Sequence, residues 1–387
     1  MSQAYIVDAV RTAGGRRNGR LSGIHPNDLG ALALNAIVDR TGIDPATVED
    51  VVWGCVSQAG EQSMHVGRNV VLASTLPPSV PAVTIDRQCG SSQQAVHFAA
   101  QAVMSGTMDV VIAGGVESMS RVPMGSPTLP GSGAEPWAKS VLDRFEVPTF
   151  SQFTGAERIA RKWGFDRETL DAYGLESHRR AAAATQAGEF AHEIVPVAIT
   201  LPNGEAALHT SDEGIRYDAS PESMAGVKLL VEGGAITAAT ASQISDGSSA
   251  ALIVSERALK EYGLAPLARI VNLTVTAGDP VIMLEEPLYA TEKALKRAGL
   301  RLADIDLYEV NEAFAPVPLA WLRHLDADPT KLNMNGGAIA LGHPLGATGT
   351  KLLATLVHGL KRRGGRYGLQ TMCEGGGIAN VTIVEAL

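Results

Sequence analysis

Cysteine is scarce in this chain. Only three occur among 387 residues, at Cys55, Cys89 and Cys373. They are widely spaced, and none forms a CxxC pair. A disulfide scaffold is therefore not expected, and the reducing cytoplasm is the compartment that fits. No HxxxH or HExxH pattern occurs, so a metal site has no support. Neither GxxxxGK[ST] nor GxGxxG is present, which argues against a nucleotide-phosphate loop of either kind. The start, Met1-Ser2-Gln3-Ala4-Tyr5, lacks the basic residues and apolar run of a secretory signal. No uncharged apolar run reaches membrane-spanning length. Positive charge is in deficit, with 32 Lys and Arg against 41 Asp and Glu and a net charge of −9. That excludes a broad nucleic-acid-binding surface but leaves room for a local basic pocket.

What is present is an ordinary globular balance, 45% hydrophobic and 19% charged, in a chain too long for one core. The first third reads as an alternation. A strand covers Ala4 to Ala9, and a helix capped by Asp28 runs to about Arg40 and stops at Gly42. Strands follow at Val51 to Val56 and Val83 to Asp86. A helix runs from about Cys89 to Met104 and ends at Gly106, and a strand from Asp109 to Ala113 is closed by Gly114-Gly115. The last third repeats the order. A helix covers Leu288 to Arg297 and stops at Gly299. Strands follow at Asp306 to Val310 and Leu332 to Asn335. A Gly-rich turn leads to a helix from about Ala347 to Lys361, and a strand from Tyr367 to Met372 is closed by Gly375-Gly376-Gly377. Gly42-Ile43 through Val51-Val52-Trp53 matches Gly299-Leu300 through Leu307-Tyr308-Glu309 with a one-residue slip. Repetition at so long a period points to a duplicated α/β domain with parallel sheets covered by helices; the competing reading is chance similarity. Between the halves, Met119 to Ser245 holds a Pro/Gly/Ser-rich stretch (Val122 to Pro136), a helix from Arg167 to Ala187 and a loop from Leu201 to Gly214. Such an insertion commonly forms a lid or binding region.

Three segments carry chemistry. Cys89 stands between a strand and a helix, in Asp86-Arg87-Gln88-Cys89-Gly90-Ser91-Ser92. Free N–H groups and the helix dipole would lower its pKa there. On local context alone, a buried structural cysteine is an equal reading. Cys55 lies in an apolar strand and reads as core. His343 sits among five glycines in Asn335 to Gly349, an arrangement expected to pack backbone around a ligand with the imidazole able to take a thiol's proton. His97, on the helix after Cys89, reads as a packed residue. Cys373, before Gly375, ends a strand where parallel sheets bind ligands. Asn311, in Asn311-Glu312-Ala313-Phe314-Ala315, could orient a water or donate to an oxyanion; alone it reads as a turn or cap.

Taken together, these segments resemble the thiolase family over nearly the whole chain. Ile6 to Thr12, Gln88 to Ser91, Ala113 to Arg121, Ser242 to Gly247, Asn311 to Ala315, Gly342 to Gly346 and Cys373 to Gly377 fall in family order and spacing. The resemblance implies an α/β fold of two duplicated βαβαβαββ halves in a layered α/β/α/β/α core with an inserted loop domain. The divisions expected are 1–118, 119–245, 246–265 and 266–387. It implies CoA-dependent cleavage of a 3-ketoacyl-CoA through an acyl-Cys89 intermediate, with biosynthetic acetoacetyl-CoA formation as the alternative. In that reading Cys373 is the proton shuttle and His343 activates Cys89. Asn311 holds a water, and the amides of Cys89 and Gly375 hold the oxyanion. Ser242 contacts the pantetheine arm and Arg216 the nucleotide end. No cofactor is permanently bound, coenzyme A being a substrate, and neither nucleic acid nor membrane is a partner. A homodimer or homotetramer is implied. Ser151-Gln152-Phe153 departs from the His-Met-Gly of short-chain biosynthetic members, and Ser242 to Gly247 looks more like degradative actinobacterial enzymes, including those acting on steroid side chains. A ketoacyl synthase relative would normally lack the second cysteine. A non-catalytic acyl-CoA-binding relative would not be expected to keep all four of Cys89, Asn311, His343 and Cys373.

Overall fold

The computed structural model describes residues 3–133, 135–201 and 203–387. Met1, Ser2, Ala134 and Pro202 lie outside it, so the very start, one residue of the Pro/Gly/Ser-rich stretch and one of the 201–214 loop are not described. The first half runs β1 (Ala4–Thr12), α1 (Pro26–Thr41), β2 (Asp50–Gly54), α2 (Val66–Ala73), β3 (Ala82–Ile85), α3 (Ser91–Ser105) and β4 (Val110–Ser118). The inserted region contains the long helix α4 (Arg167–Gln186) and a hairpin pairing Val197–Thr200 with Ala206–His209. The chain then returns through β5 (Ser245–Ser255). The second half runs β6 (Ala268–Ala277), α5 (Glu286–Ala298), β7 (Leu307–Val310), α6 (Pro316–Leu325), α7 (Thr348–Arg363), β8 (Tyr367–Glu374) and β9 (Ile378–Ala386).

The duplication is visible in the pairing. The main sheet path is β7-β8-β9-β6-β1-β5-β4-β2-β3. β3, β2 and β4 are parallel, and β5 runs against both β4 and β1. β7 and β8 are parallel, and β9 runs against both β8 and β6. Each half is thus mixed rather than purely parallel. The halves meet where β1 and β6 pair antiparallel at Tyr5↔Arg269 and Ile6↔Ala268. α3 and α7, equivalent by this repeat, pack together between the halves. Ala95, Val96, Ala99 and Val103 share one core with Leu353, Leu356 and Val357 and with strand residues Ile6, Val111 and Ile253. The alternate strand residues Val7, Val10, Ile112 and Leu252 face the opposite way, against Leu34 and Ile37 of α1. Both strand faces are therefore buried, which is why these strands read as continuous apolar runs.

Local chemistry explains the element ends. α1 ends at Gly42 (φ 67°) and α5 at Gly299 (φ 67°), both in the left-handed conformation that glycine adopts freely. The cap at the start of α1 is His25, whose Nδ1 accepts from the Asn27 amide at 3.2 Å. Asp28 sits inside the first turn, where its charge meets the positive end of the dipole. β4 continues through Gly114-Gly115 to Ser118. Those glycines serve contact, because a Cβ on Gly115 would stand 2.0 Å from the Gly346 carbonyl oxygen. Leu332 to Asn335 is not a strand; only Leu332 bridges to Tyr308. It occupies the edge position that β3 fills in the first half. No helix among the described residues is long and apolar enough to cross a membrane.

Candidate active site

Cys89 lies in the turn between β3 and α3. The residue before it, Gln88, has φ 49°, a backbone state a side chain rarely adopts. Short bonds hold it there. Asp86 Oδ1 accepts from the Gln88 amide at 2.7 Å, and the Ser91 hydroxyl donates to the Gln88 carbonyl at 2.7 Å. Cys89 packs among Met119, Leu345, Leu352 and Met372, so residues flanking His343 and Cys373 enclose it. The nearby Cys89 and Gly375 amides favour the thiolate. Burial outweighs them, and with the Glu374 carboxyl nearby the thiol is pushed up to about 12. This reverses the lowered pKa expected from a helix N-terminus: the thiol is desolvated, and α3 begins two residues later.

Cys373 is buried near the end of β8, close enough to Cys89 for a thiolate there to disfavour its own ionisation. The two cysteine loops touch through glycine. A Cβ on Gly90 would stand 1.8 Å from Glu374 Oε1, and one on Gly375 would meet the Gln88 side chain at 2.9 Å.

His343 and Asn311 contact each other, and the turn that carries His343 reaches Cys89 through Leu345. Thr348 Oγ1 donates to the Pro344 carbonyl at 2.9 Å, so at 2.6 Å from His343 Nδ1 it accepts the ring proton. Nε2 is thereby left with its lone pair, the tautomer a base requires. Asn311 Nδ2 is 3.4 Å from Nε2, and Asn311 Oδ1 is buried with no hydrogen-bond partner. Burial, with Lys351 nearby, lowers the His343 pKa to about 3, so the ring is neutral.

The glycines around His343 pack against protein, where the sequence had pointed to a ligand. A Cβ on Gly346 would meet Cys55 Cα and the Val116 carbonyl oxygen, both at 2.7 Å, and one on Gly349 would stand 2.0 Å from the Gln93 amide nitrogen. They let the second half close onto the first. Three buried charged groups, none singled out from sequence, fix the resulting loops. Glu117 accepts from the Val56, Ser57 and Gly346 amides and from Gln62 Nε2, at 2.8 to 3.0 Å. Glu312 accepts from Ser177 Oγ, Tyr173 OH, Asn333 Nδ2 and the Ile339 amide. Lys351 Nζ donates to the Leu341 and Gly342 carbonyls at 2.6 and 2.9 Å, immediately before His343. Burial lowers the Lys351 pKa to about 8 despite Asp212. The signal available in sequence was a charged residue inside an otherwise small and apolar motif.

Ser242 is joined to this site through the backbone. Its amide donates to the Ala313 carbonyl at 2.9 Å, and the next carbonyl, of Gln243, accepts from the His343 amide at 3.1 Å. Arg216 stands further out and is exposed, with its amide on His178 Nδ1 at 3.2 Å. Its guanidinium has no ion-pair partner among the described residues. Cys55 is fully buried with its sulfur 4.0 Å from Glu117, and His97 is buried between the halves on Thr382 Oγ1 at 2.9 Å. No cluster of three or more His, Cys, Asp or Glu placed to hold a metal occurs among the described residues.

Comparison with known proteins identifies the family. The family model for the thiolase N-terminal domain matches residues 4–257, and that for the thiolase C-terminal domain matches residues 264–386. A steroid 3-ketoacyl-CoA thiolase of Mycobacterium tuberculosis is 54% identical over 100% of this chain and 95% of its own length. A beta-ketoadipyl-CoA thiolase of Acinetobacter baylyi is 42% identical, with both chains fully covered. Among solved structures, human mitochondrial 3-ketoacyl-CoA thiolase superposes with a TM-score of 0.90 at 38% identity, covering 100% of this chain and 99% of that one. The chain therefore belongs to the thiolase family.

Proposed function

We propose that this protein is an acyltransferase that cleaves a 3-ketoacyl-CoA with coenzyme A, giving acetyl-CoA and a shortened acyl-CoA. The observation that carries this is the pairing of two buried thiols, Cys89 and Cys373, with the Cys89 and Gly375 amides near the first sulfur. In this reading the Cys89 proton passes to His343 Nε2 and the sulfur attacks the 3-keto carbon. The carbonyl oxygen takes up the negative charge between the two amides. Collapse breaks the Cα–Cβ bond and leaves the acyl group on Cys89. Cys373 then protonates the acetyl-CoA carbanion. The thiol of free coenzyme A gives its proton to the Cys373 thiolate and its sulfur takes the acyl group, and the released Cys89 sulfur recovers its proton from His343. Asn311 Oδ1, buried and unpartnered, would accept from a water that supports the thioester oxygen in the carbanion step. Neutral thiols suit the scheme, since both cysteines must hold a proton at some stage.

Segment 119–245 would supply the coenzyme A and acyl-chain contacts, and the duplicated halves the four catalytic side chains, with 246–265 returning the chain and 266–387 forming the second half. Ser242 would contact the pantetheine arm and Arg216 a phosphate of the nucleotide. The acyl group would lie along Met124, Gln152 and Phe153, whose ring packs edge-on to Phe314 at 5.7 Å between centroids. The name of the Mycobacterium relative favours a bulky, steroid-derived acyl group. β3 ends the sheet with one edge free, and exposed Val83, Leu72 and Met64 lie on or near it. This supports a homodimer, alone or paired into a homotetramer, closing that edge. The cytoplasm is the proposed compartment. The test is Cys373→Ala. It should still exchange labelled coenzyme A with acetyl-CoA through acetyl-Cys89, yet lose 3-ketoacyl-CoA thiolysis by at least the roughly hundred- to ten-thousand-fold of a general acid–base. Equal losses in both assays would refute the two-thiol scheme.

A further inference from the structure

At the far end of α7 from His343, a cavity of about 530 Å³ is lined by residues of several elements. β1 contributes Val7 and Asp8, α1 contributes Arg40, and His192 comes from the segment after α4. Leu264 and Leu267 precede β6, and α7 contributes His358, Lys361 and Arg362. Thirteen residues separate Thr348 from Lys361, so this cavity lies about 20 Å along the helix from the catalytic histidine. It is separate from the catalytic site.

Its charge is one-sided. Asp8 is already paired, with Arg40 Nε at 2.7 Å and His358 Nε2 at 3.5 Å. Glu189 holds Arg362 through Nε alone, at 2.9 Å. The two terminal nitrogens of Arg362 are buried and donate to nothing. Lys361 beside it has no ion-pair partner among the described residues. Basic residues in the last turn of a helix often do no more than meet its dipole, and such residues point to water. Here the guanidinium fork is desolvated, which costs free energy unless an acceptor is supplied. Further basic groups, Arg40, His192 and His358, approach from other parts of the chain. The apolar side, Val7, Leu264 and Leu267, gives room for more than a bare ion. The volume is in the range of small-molecule sites.

We propose that this cavity binds a phosphorylated small molecule of about mononucleotide size. Its phosphate would lie on Lys361 and, once the Arg362 side chain turns into the cavity, on the terminal nitrogens of Arg362, and its body would rest against Leu264 and Leu267. A guanidinium fork matches two phosphate oxygens, and an adjacent ammonium adds a point charge. The chemistry is shared by a free nucleotide and by the nucleotide end of coenzyme A, so both are tested. Inorganic phosphate, adenosine monophosphate and coenzyme A are titrated calorimetrically into the full-length protein and into Lys361→Gln with Arg362→Gln. The expected result is saturable binding of adenosine monophosphate, weakened about tenfold in the double variant, or about 1.4 kcal/mol, with kcat/KM for thiolysis unchanged. A free nucleotide as the occupant predicts one coenzyme A per chain in both proteins. Coenzyme A as the occupant predicts a second equivalent in the native protein that the double variant loses. Because Arg362 also holds Glu189, Lys361→Gln alone serves if the double variant does not fold, and it should still weaken binding severalfold. Equal affinity for adenosine monophosphate in native and variant proteins, or no saturable binding at millimolar concentration, overturns the proposal.

Discussion

Glu117→Gln is a perturbation whose size can be worked from the structure. The carboxylate is fully buried and faces only donors. Oε1 takes the Ser57 amide and Gln62 Nε2, and Oε2 takes the Val56 and Gly346 amides. Glutamine keeps one oxygen and turns an NH2 group toward the other two donors, so two of the four bonds are lost whichever way it sits. At about 1.5–3 kcal/mol for a bond to a charged group, the loss is about 3–6 kcal/mol. Removing a buried charge returns part of this, because burial already raises the Glu117 pKa. The net destabilisation expected is about 2–4 kcal/mol. It should appear as a lower urea midpoint followed by circular dichroism. Activity should fall as well, because one of the four donors is the amide of Gly346, three residues from His343 in the same turn. Below the unfolding transition kcat should drop about tenfold or more, through a displaced base. A variant with the native midpoint and native kcat would show that Glu117 only fills space, and the account of how the two halves are joined would fail.

The remaining predictions concern protonation, positioning and acyl choice. With Cys89 held up to about 12 and His343 held down to about 3, iodoacetamide should alkylate Cys89 at a rate rising about tenfold per pH unit from about pH 6 to 10; a plateau below pH 9 would contradict the buried thiol. His97 and His343 both titrate near 3 in the fold against 6.5 for the free side chain, so the unfolded chain binds protons first on acidification. Stability should therefore fall as pH drops from about 6.5 toward 3, by about 1.4 kcal/mol per pH unit for each ring. His97→Asn should reduce that slope by one proton, and an unchanged slope in urea titrations across pH would be the contrary result. Lys351→Met leaves the Leu341 and Gly342 carbonyls without their donor, and kcat should fall about 10- to 100-fold with little change in KM; a rise in KM at constant kcat would make it a binding residue instead. Replacing Gln152 and Phe153 by Met-Gly should narrow the range of acyl lengths cleaved, read from thiolysis rates across a chain-length series, and a flat profile would place acyl selection elsewhere.

Local chemistry carried much of the fold in the sequence itself. Gly42, Gly106 and Gly299 all end helices in the left-handed conformation, and that need is set by a single residue's φ. Apolar runs such as Val51 to Trp53 announced strands covered on both faces. The duplication followed from those signals recurring in one order. Other features depended on partners distant in sequence. The Val197–Thr200 and Ala206–His209 hairpin was hidden by its polar turn. Leu332 to Asn335 had strand composition but only one bridging residue, because the chain turns away to bring Asn333 onto Val310 and Glu312. The glycines around His343 looked like a ligand cradle until the opposite half was placed against them. The raised Cys89 pKa has the same cause. A helix terminus is legible in sequence, but desolvation is a property of the surrounding shell, and that shell comes from Met119, Leu345, Leu352 and Met372. Sequence determined which elements form and which side chains were candidates for the site. Tertiary structure decided their protonation, because burial and neighbouring charge act through space and not along the chain.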